Sequence, residues 1–209
     1  MRVSVDGKFF RLGGRKFHPK GVAYGPFAPN AADGTFAPRE QTAKDFAQIR
    51  ELGANLVRVY HVPPRWFLDL ATEHGLKVMV DIPWNKHLCF LETEPRMADA
   101  LQAVRQAVQS CAGHPAVFAF SVANEIAPDI ARWSGARAVA EFIDELVAEA
   151  KRADPDCLCT FSNFPPTEFL TPRTLDFLCF NVYLHDQAAF KNYLARLRSE
   201  ERRVGKECA

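Results

Sequence analysis

Six short apolar runs, separated by helix-forming segments, constrain this chain more than any other feature. They occupy residues 20–24, 56–60, 77–82, 117–123, 157–161 and 177–182. The fourth is the clearest. Val117 to Ala123 is apolar almost throughout and is flanked by helix formers, the pattern of a strand buried on both faces of a parallel sheet. Between the runs, Thr42 and Asp45 are predicted to open a helix with Phe46, Ile49 and Leu52 on one face, ended by Gly53. Pro64 opens a second helix bearing Trp66, Phe67, Leu70 and His74, closed by Gly75. Met97, Leu101, Val104, Val108 and Cys111 then recur at helical spacing. Ser134 is predicted to cap a helix with Val139, Phe142, Ile143, Leu146 and Val147 facing inward, and Asp186 a last one with Phe190, Leu194 and Leu197.

Strands alternating with helices at this rhythm make βαβ units and a parallel sheet, either open and doubly wound or closed into a barrel. No Gly-x-Gly-x-x-Gly follows any run, so a dinucleotide-binding open sheet has no support. The fold read from the sequence is α/β, a (β/α)8 TIM barrel, incomplete, with about six βα units present. The length of 209 residues is near the short end for such a barrel, where roughly 250 is typical. Residues 1–19, with Asp6-Gly7 and Gly13-Gly14, read as a β-ribbon leading into the barrel, and residues 20–197 as the partial barrel. The loop from Gly25 to Pro38 is long enough to shape a rim. Residues 198–209 are a charge-dense tail, either a solvated helix end or a non-native junction scar. With only six strands, the first and sixth, which hold Tyr24 and Phe180, are expected to leave open edges.

A net charge of +1 makes no case for nucleic acid as a partner. No apolar run approaches the roughly 18 residues of a membrane span. No signal-peptide core opens the chain, so a cytoplasmic location is the simplest expectation. The six cysteines lack metal spacing, Cys157-x-Cys159 having one intervening residue, and neither metal nor cofactor is expected.

The fourth run ends in Asn124-Glu125, where a buried strand emerges. In parallel barrels, chemistry sits at the C-terminal ends of strands. A carboxyl half withdrawn from water there can donate a proton, although the same pair could simply cap the next loop. The wider motif, His114-Pro-x-Val-x-x-x-Ser-x-x-Asn124-Glu125, resembles the acid/base signature of glycoside hydrolase family 2, among the retaining glycosidases of clan A. Leu12-Gly-Gly-x-Lys16-Phe17 followed by Lys20-Gly-Val22 resembles the lead-in to that family's barrel.

The resemblance implies that Glu125 is the general acid/base and that Asn124 holds a sugar 2-hydroxyl. Asn55-x-x-Arg58-x-x-His61 resembles the family's second-strand signature, in which the Arg keeps the nucleophile ionised; His61 is a rim residue or a sugar ligand. Asn181-x-Tyr183 resembles the family's Asn-x-Tyr, in which the Tyr bonds the nucleophile. Tyr24 and Trp84, flat aromatics at strand ends, are candidates for sugar contact, while Asp81 and Asn163 sit at strand ends with no assigned role. Retaining enzymes need a second carboxylate roughly 5–5.5 Å away, on a seventh strand that is not seen here. Glu168 is the nearest downstream candidate, but Pro165-Pro-Thr-Glu168-Phe-Leu170 does not resemble the nucleophile motif.

The implied activity is hydrolysis of β-linked O-glycosyl bonds, with no appreciable turnover expected from the 209-residue chain alone. The alternatives are a transglycosylase or a non-catalytic carbohydrate-binding barrel. The implied partners are a carbohydrate substrate and other carbohydrate-active domains, by fusion or association, since family 2 barrels usually follow β-sandwich domains.

Overall fold

The computed structural model describes residues 1–30 and 34–204, with side chains as far as residue 197. The side chains of the charge-dense run at 198–209 therefore lie outside the described residues, as do residues 31–33 of the long loop.

Strands β1 (Val3–Asp6), β2 (Phe9–Leu12) and β3 (Arg15–Phe17) form an antiparallel meander. The main sheet has six parallel strands in chain order: β4 (Gly21–Ala23), β5 (Leu56–Val59), β6 (Lys77–Asp81), β7 (Val117–Asn124), β8 (Cys159–Asn163) and β9 (Cys179–Phe180). Helices α1 (Arg39–Glu51), α2 (Arg65–Glu73), α3 (Glu94–Cys111), α4 (Pro128–Ser134), α5 (Ala136–Ala153) and α6 (Gln187–Val204) connect or follow them. Helices return the chain between neighbouring parallel strands from β4 as far as β8, whereas β8 reaches β9 with only the 3-10 turn Pro165–Thr167 between them. The helix-returned pairs are the unit that builds a TIM barrel.

Period-two alternation sorts the strand side chains between two cores. Val57, Val59, Val78 and Val80 face the helices and join Phe46, Phe67 and Leu146 in the larger cluster. Full burial of each such side chain stabilises by about 1.5–3 kcal/mol. On the other face, Leu56, Met79, Phe118 and Leu158 form a second cluster with Val3, sealed by Phe10, Leu12 and Phe17 of the meander. The ribbon therefore plugs the N-terminal end of the sheet. The Phe10 and Phe118 rings meet edge-on at 5.0 Å, and Arg2 clamps Asp154 through two 2.8 Å hydrogen bonds. One step further along the same inner face the lining turns polar, with Arg58, Asp81, Ser121 and Ser162.

Several local expectations are corrected. Ser134 does not cap α5. It ends α4, a helix not read from the sequence, and Gly135, at φ +88°, separates the two. Only glycine enters that backbone region freely. Leu52 is exposed, because α1 ends beneath it. Thr42 lies inside α1, and its hydroxyl bonds the Ala37 carbonyl. The fifth barrel strand starts at Cys159, because residues 154–157 close a turn through Cys157 N–H to Asp154 O. The sixth shrinks to two residues, paired on one side alone.

Candidate active site

Arg58, Asn124 and Asn181 come from β5, β7 and the residue just after β9, 66 and 123 positions from Arg58 for the last two. They converge at the C-terminal end of the sheet. Arg58 Nε donates to Asp81 Oδ2 at 2.8 Å, Nη1 to Asn181 Oδ1 at 2.6 Å and Nη2 to Asn124 Oδ1 at 2.9 Å. Each nitrogen of this guanidinium thus donates a hydrogen bond, and the group also lies 5.1 Å from the Tyr60 ring centroid. Asn181 Nδ2 then donates to Asn124 Oδ1 at 2.8 Å and to Glu125 Oε1 at 2.7 Å. The Tyr183 hydroxyl donates to the same Glu125 oxygen. Glu125 Oε2 accepts no hydrogen bond among the described residues, so it is the oxygen left for a ligand.

Two backbone irregularities aim this cluster. Ser121 and Asn124 are three apart and would face opposite sides of a regular strand. A register shift between Ser121 and Ala123 turns both inward, where Ser121 Oγ meets Ser162 Oγ at 2.8 Å and Asn124 meets Arg58. Glu125 itself has φ +50°, the only positive φ outside glycine among the described residues. Such a conformation costs about 1–3 kcal/mol and persists where the surroundings over-determine it. Here its amide is fixed to Ser162 O at 2.9 Å, and its carboxylate by Asn181 and Tyr183.

The electrostatics follow from burial. Burial pushes the Asp81 carboxyl above the ordinary aspartate range, despite the pull of Arg58. Burial also works against the Arg58 charge, but Asp81 outweighs it and the guanidinium titrates higher still. Both partners move up because Asp81 is the more deeply buried, at 5 % side-chain exposure against 18 %. The Tyr183 hydroxyl is pushed up to about 12, first by its bond to Glu125 and then by burial. Lys86 titrates below the usual lysine range because it is half buried, while Asp81 and Glu125 pull it back up.

Of the residues expected at the site, Glu125, Asn124, Arg58, Asn181 and Tyr183 come together. His61 is half buried and joins no hydrogen bond of the cluster. Tyr24 is not brought there. It is buried among Phe27, Phe46 and Phe67, with its hydroxyl on Asp45 at 2.7 Å. Trp84 packs edge-on against Phe90 and Phe142, and its N–H bonds Val122 O at 2.8 Å. Asn163 is consumed by its own turn, accepting from Thr167 Oγ1 at 2.7 Å. Glu168 is tied to α6 by Tyr193 and Arg196. Sequence reasoning gave Asp81 no role and passed over Tyr60 and Lys86. A charged residue at or just past a strand end was the signal for Asp81 and Lys86.

No helix among the described residues is long and apolar enough to cross a membrane. Comparison with known proteins gives a consistent picture. A β-glucuronidase of Felis catus is 28% identical over 187 residues, covering 87% of this chain and 27% of that protein. The 1,3-beta-glucanosyltransferase gel1 of Aspergillus fumigatus is 26% identical over 134 residues, covering 61% of this chain and 29% of its own length. The chain thus spans about a quarter of the β-glucuronidases it matches. Among solved structures, a Bifidobacterium dentium β-glucuronidase complexed with coumarin-3-O-glucuronide superposes with a TM-score of 0.78 at 21% identity, over 96% of this chain and 34% of that one. The family model described as glycosyl hydrolases family 2, TIM barrel domain, matches residues 3–206, and the chain belongs to that family.

Proposed function

We propose that this chain is the acid/base-bearing portion of a retaining β-glycosidase, with Glu125 as the general acid/base. The observation that carries this is the convergence of Arg58, Asn124 and Asn181 on a strained Glu125 at a strand end, with Oε2 left for a ligand. In the forward step, a second carboxylate roughly 5–5.5 Å from Glu125 attacks the anomeric carbon, and the glycosidic C–O bond breaks. Glu125 gives its proton to the departing oxygen. In the second step Glu125 takes a proton from water, which displaces the enzyme carboxylate; a sugar hydroxyl in place of water gives transfer instead. Asn124 Nδ2 is available to a sugar 2-hydroxyl, since its Oδ1 is already held by Arg58 and Asn181.

The attacking carboxylate is not among the residues gathered here. Tyr183, which the family resemblance would assign to it, bonds Glu125 instead. A β-glucuronide is the first substrate to try, because β-glucuronidases recur among the relatives.

The test is Glu125→Gln in a protein carrying all eight barrel strands. Turnover of a glycoside with a poor leaving group should fall by about 10²–10⁴-fold. An activated aryl glycoside, which leaves without protonation, should lose much less. Equal rates for variant and wild type on the poor leaving group would remove Glu125 from the acid role. Saturable sugar binding with no cleavage by the wild type would favour the carbohydrate-binding barrel.

A further inference from the structure

We propose that Trp133 is a sugar-stacking platform outside the Glu125 cluster, a subsite for the part of a β-linked oligosaccharide that lies beyond the bond being cut. The inference rests on the carbohydrate reading of the Glu125 cluster. Tyr24 and Trp84, the aromatics expected to meet sugar, are spent on packing. Trp133 is not: it is 74 % exposed, on a helix that begins three residues after Glu125. Three extended residues and a helical stretch of five put its Cα within about 18 Å of that of Glu125. It lies in the segment that leaves the C-terminal end of β7, and the chemistry of such barrels sits at the C-terminal ends of their strands.

The ring is also held in place. Trp133 Nε1 donates to Glu92 Oε1 at 3.0 Å, Arg96 Nη1 reaches Glu92 Oε2 at 3.4 Å, and the same nitrogen donates to Cys89 O at 3.1 Å. Glu92 lies in the 3-10 turn Phe90–Glu92 that precedes α3, so the bond joins the segment after β6 to the segment after β7. The polar edge of the indole is satisfied, and its apolar faces are left to solvent. An exposed Trp fixed at its edge gives up little freedom when it stacks, the economy that rigid aromatic anchors bring to binding. Sugars present apolar C–H faces and match a flat ring. Their hydroxyls, in addition, tolerate a half-solvated rim.

The experiment uses the wild-type chain, Trp133→Ala and Trp133→Phe, with β-1,4-linked gluco-, galacto- and manno-tetraose as probes. Binding is read calorimetrically and by protection of tryptophan fluorescence from acrylamide. At least one tetrasaccharide should bind, shield the most quenchable tryptophan, and bind about tenfold more weakly to Trp133→Ala. Trp133→Phe, which keeps an aromatic face, should recover most of the loss. Equal affinity of wild type and Trp133→Ala for every tetrasaccharide that binds overturns the platform. So does protection that persists in Trp133→Ala. A monosaccharide iminosugar is titrated in parallel into a protein carrying all eight barrel strands. If it binds while no tetrasaccharide does, only the platform fails; if neither binds, the carbohydrate reading fails with it.

Discussion

Replacing Asp81 by alanine would leave the Arg58 guanidinium in the sheet interior without its counter-charge. At 2.8 Å the pair attracts by about 6 kcal/mol at an effective dielectric near 20, and much of that offsets the cost of withdrawing both charges from water. Neither side chain is as much as a fifth exposed, so solvent does little to rescue the partner left behind. Breaking such a pair on one side costs about 3–5 kcal/mol. Against a total stability of about 5–15 kcal/mol for a domain, that approaches unfolding. The variant Asp81→Ala should therefore lower the urea midpoint sharply, while the joint replacement Arg58→Met with Asp81→Ala should recover most of the loss, because no buried charge remains. The joint variant should nevertheless lose iminosugar binding, since Asn124 and Asn181 are aimed by Arg58. The assay is equilibrium urea unfolding of the four members of the cycle, with binding measured on those that fold. An Asp81→Ala loss under about 1 kcal/mol, or a joint loss equal to the sum of the singles, would refute the argument.

Asp154 gives a pH dependence. Burial alone pushes its carboxyl up, but Arg2 and the amides of Gly113 and Asp156 hold it below the ordinary aspartate range. A folded value that is depressed stabilises fully above about pH 4 and is lost as pH falls through the folded value. Asp154→Asn should lower the midpoint at pH 7 and flatten its fall below about pH 4, whereas parallel pH profiles for the two proteins would exclude the Arg2 clamp as the cause. Strands β4 and β9 each pair on one side only, and Leu178 beside β9 is exposed. The 209-residue chain should therefore associate or bind a hydrophobic dye, and a monodisperse monomer with one sharp transition and no dye binding would contradict this.

The sequence by itself determined the alternation of buried strands and amphipathic helices, hence the parallel sheet, and it placed Glu125 at a strand end. Those features are local: side-chain period and turn residues are written in consecutive positions. What only the tertiary structure decided depends on register between strands far apart in the chain. The shift between Ser121 and Ala123 that turns Asn124 inward has no signature of its own, because it arises from pairing with β8. Asp81 could be seen at a strand end, but that its partner is Arg58 on the neighbouring strand follows from strand order. The aromatics show the same limit most plainly. Tyr24, Trp84 and Trp133 each carry an apolar ring and a polar tip, and in sequence nothing separates them. Packing gave the first two rings aromatic neighbours and left the third bonded only at its edge. Whether a ring is core or open surface depends on what the rest of the chain brings against it.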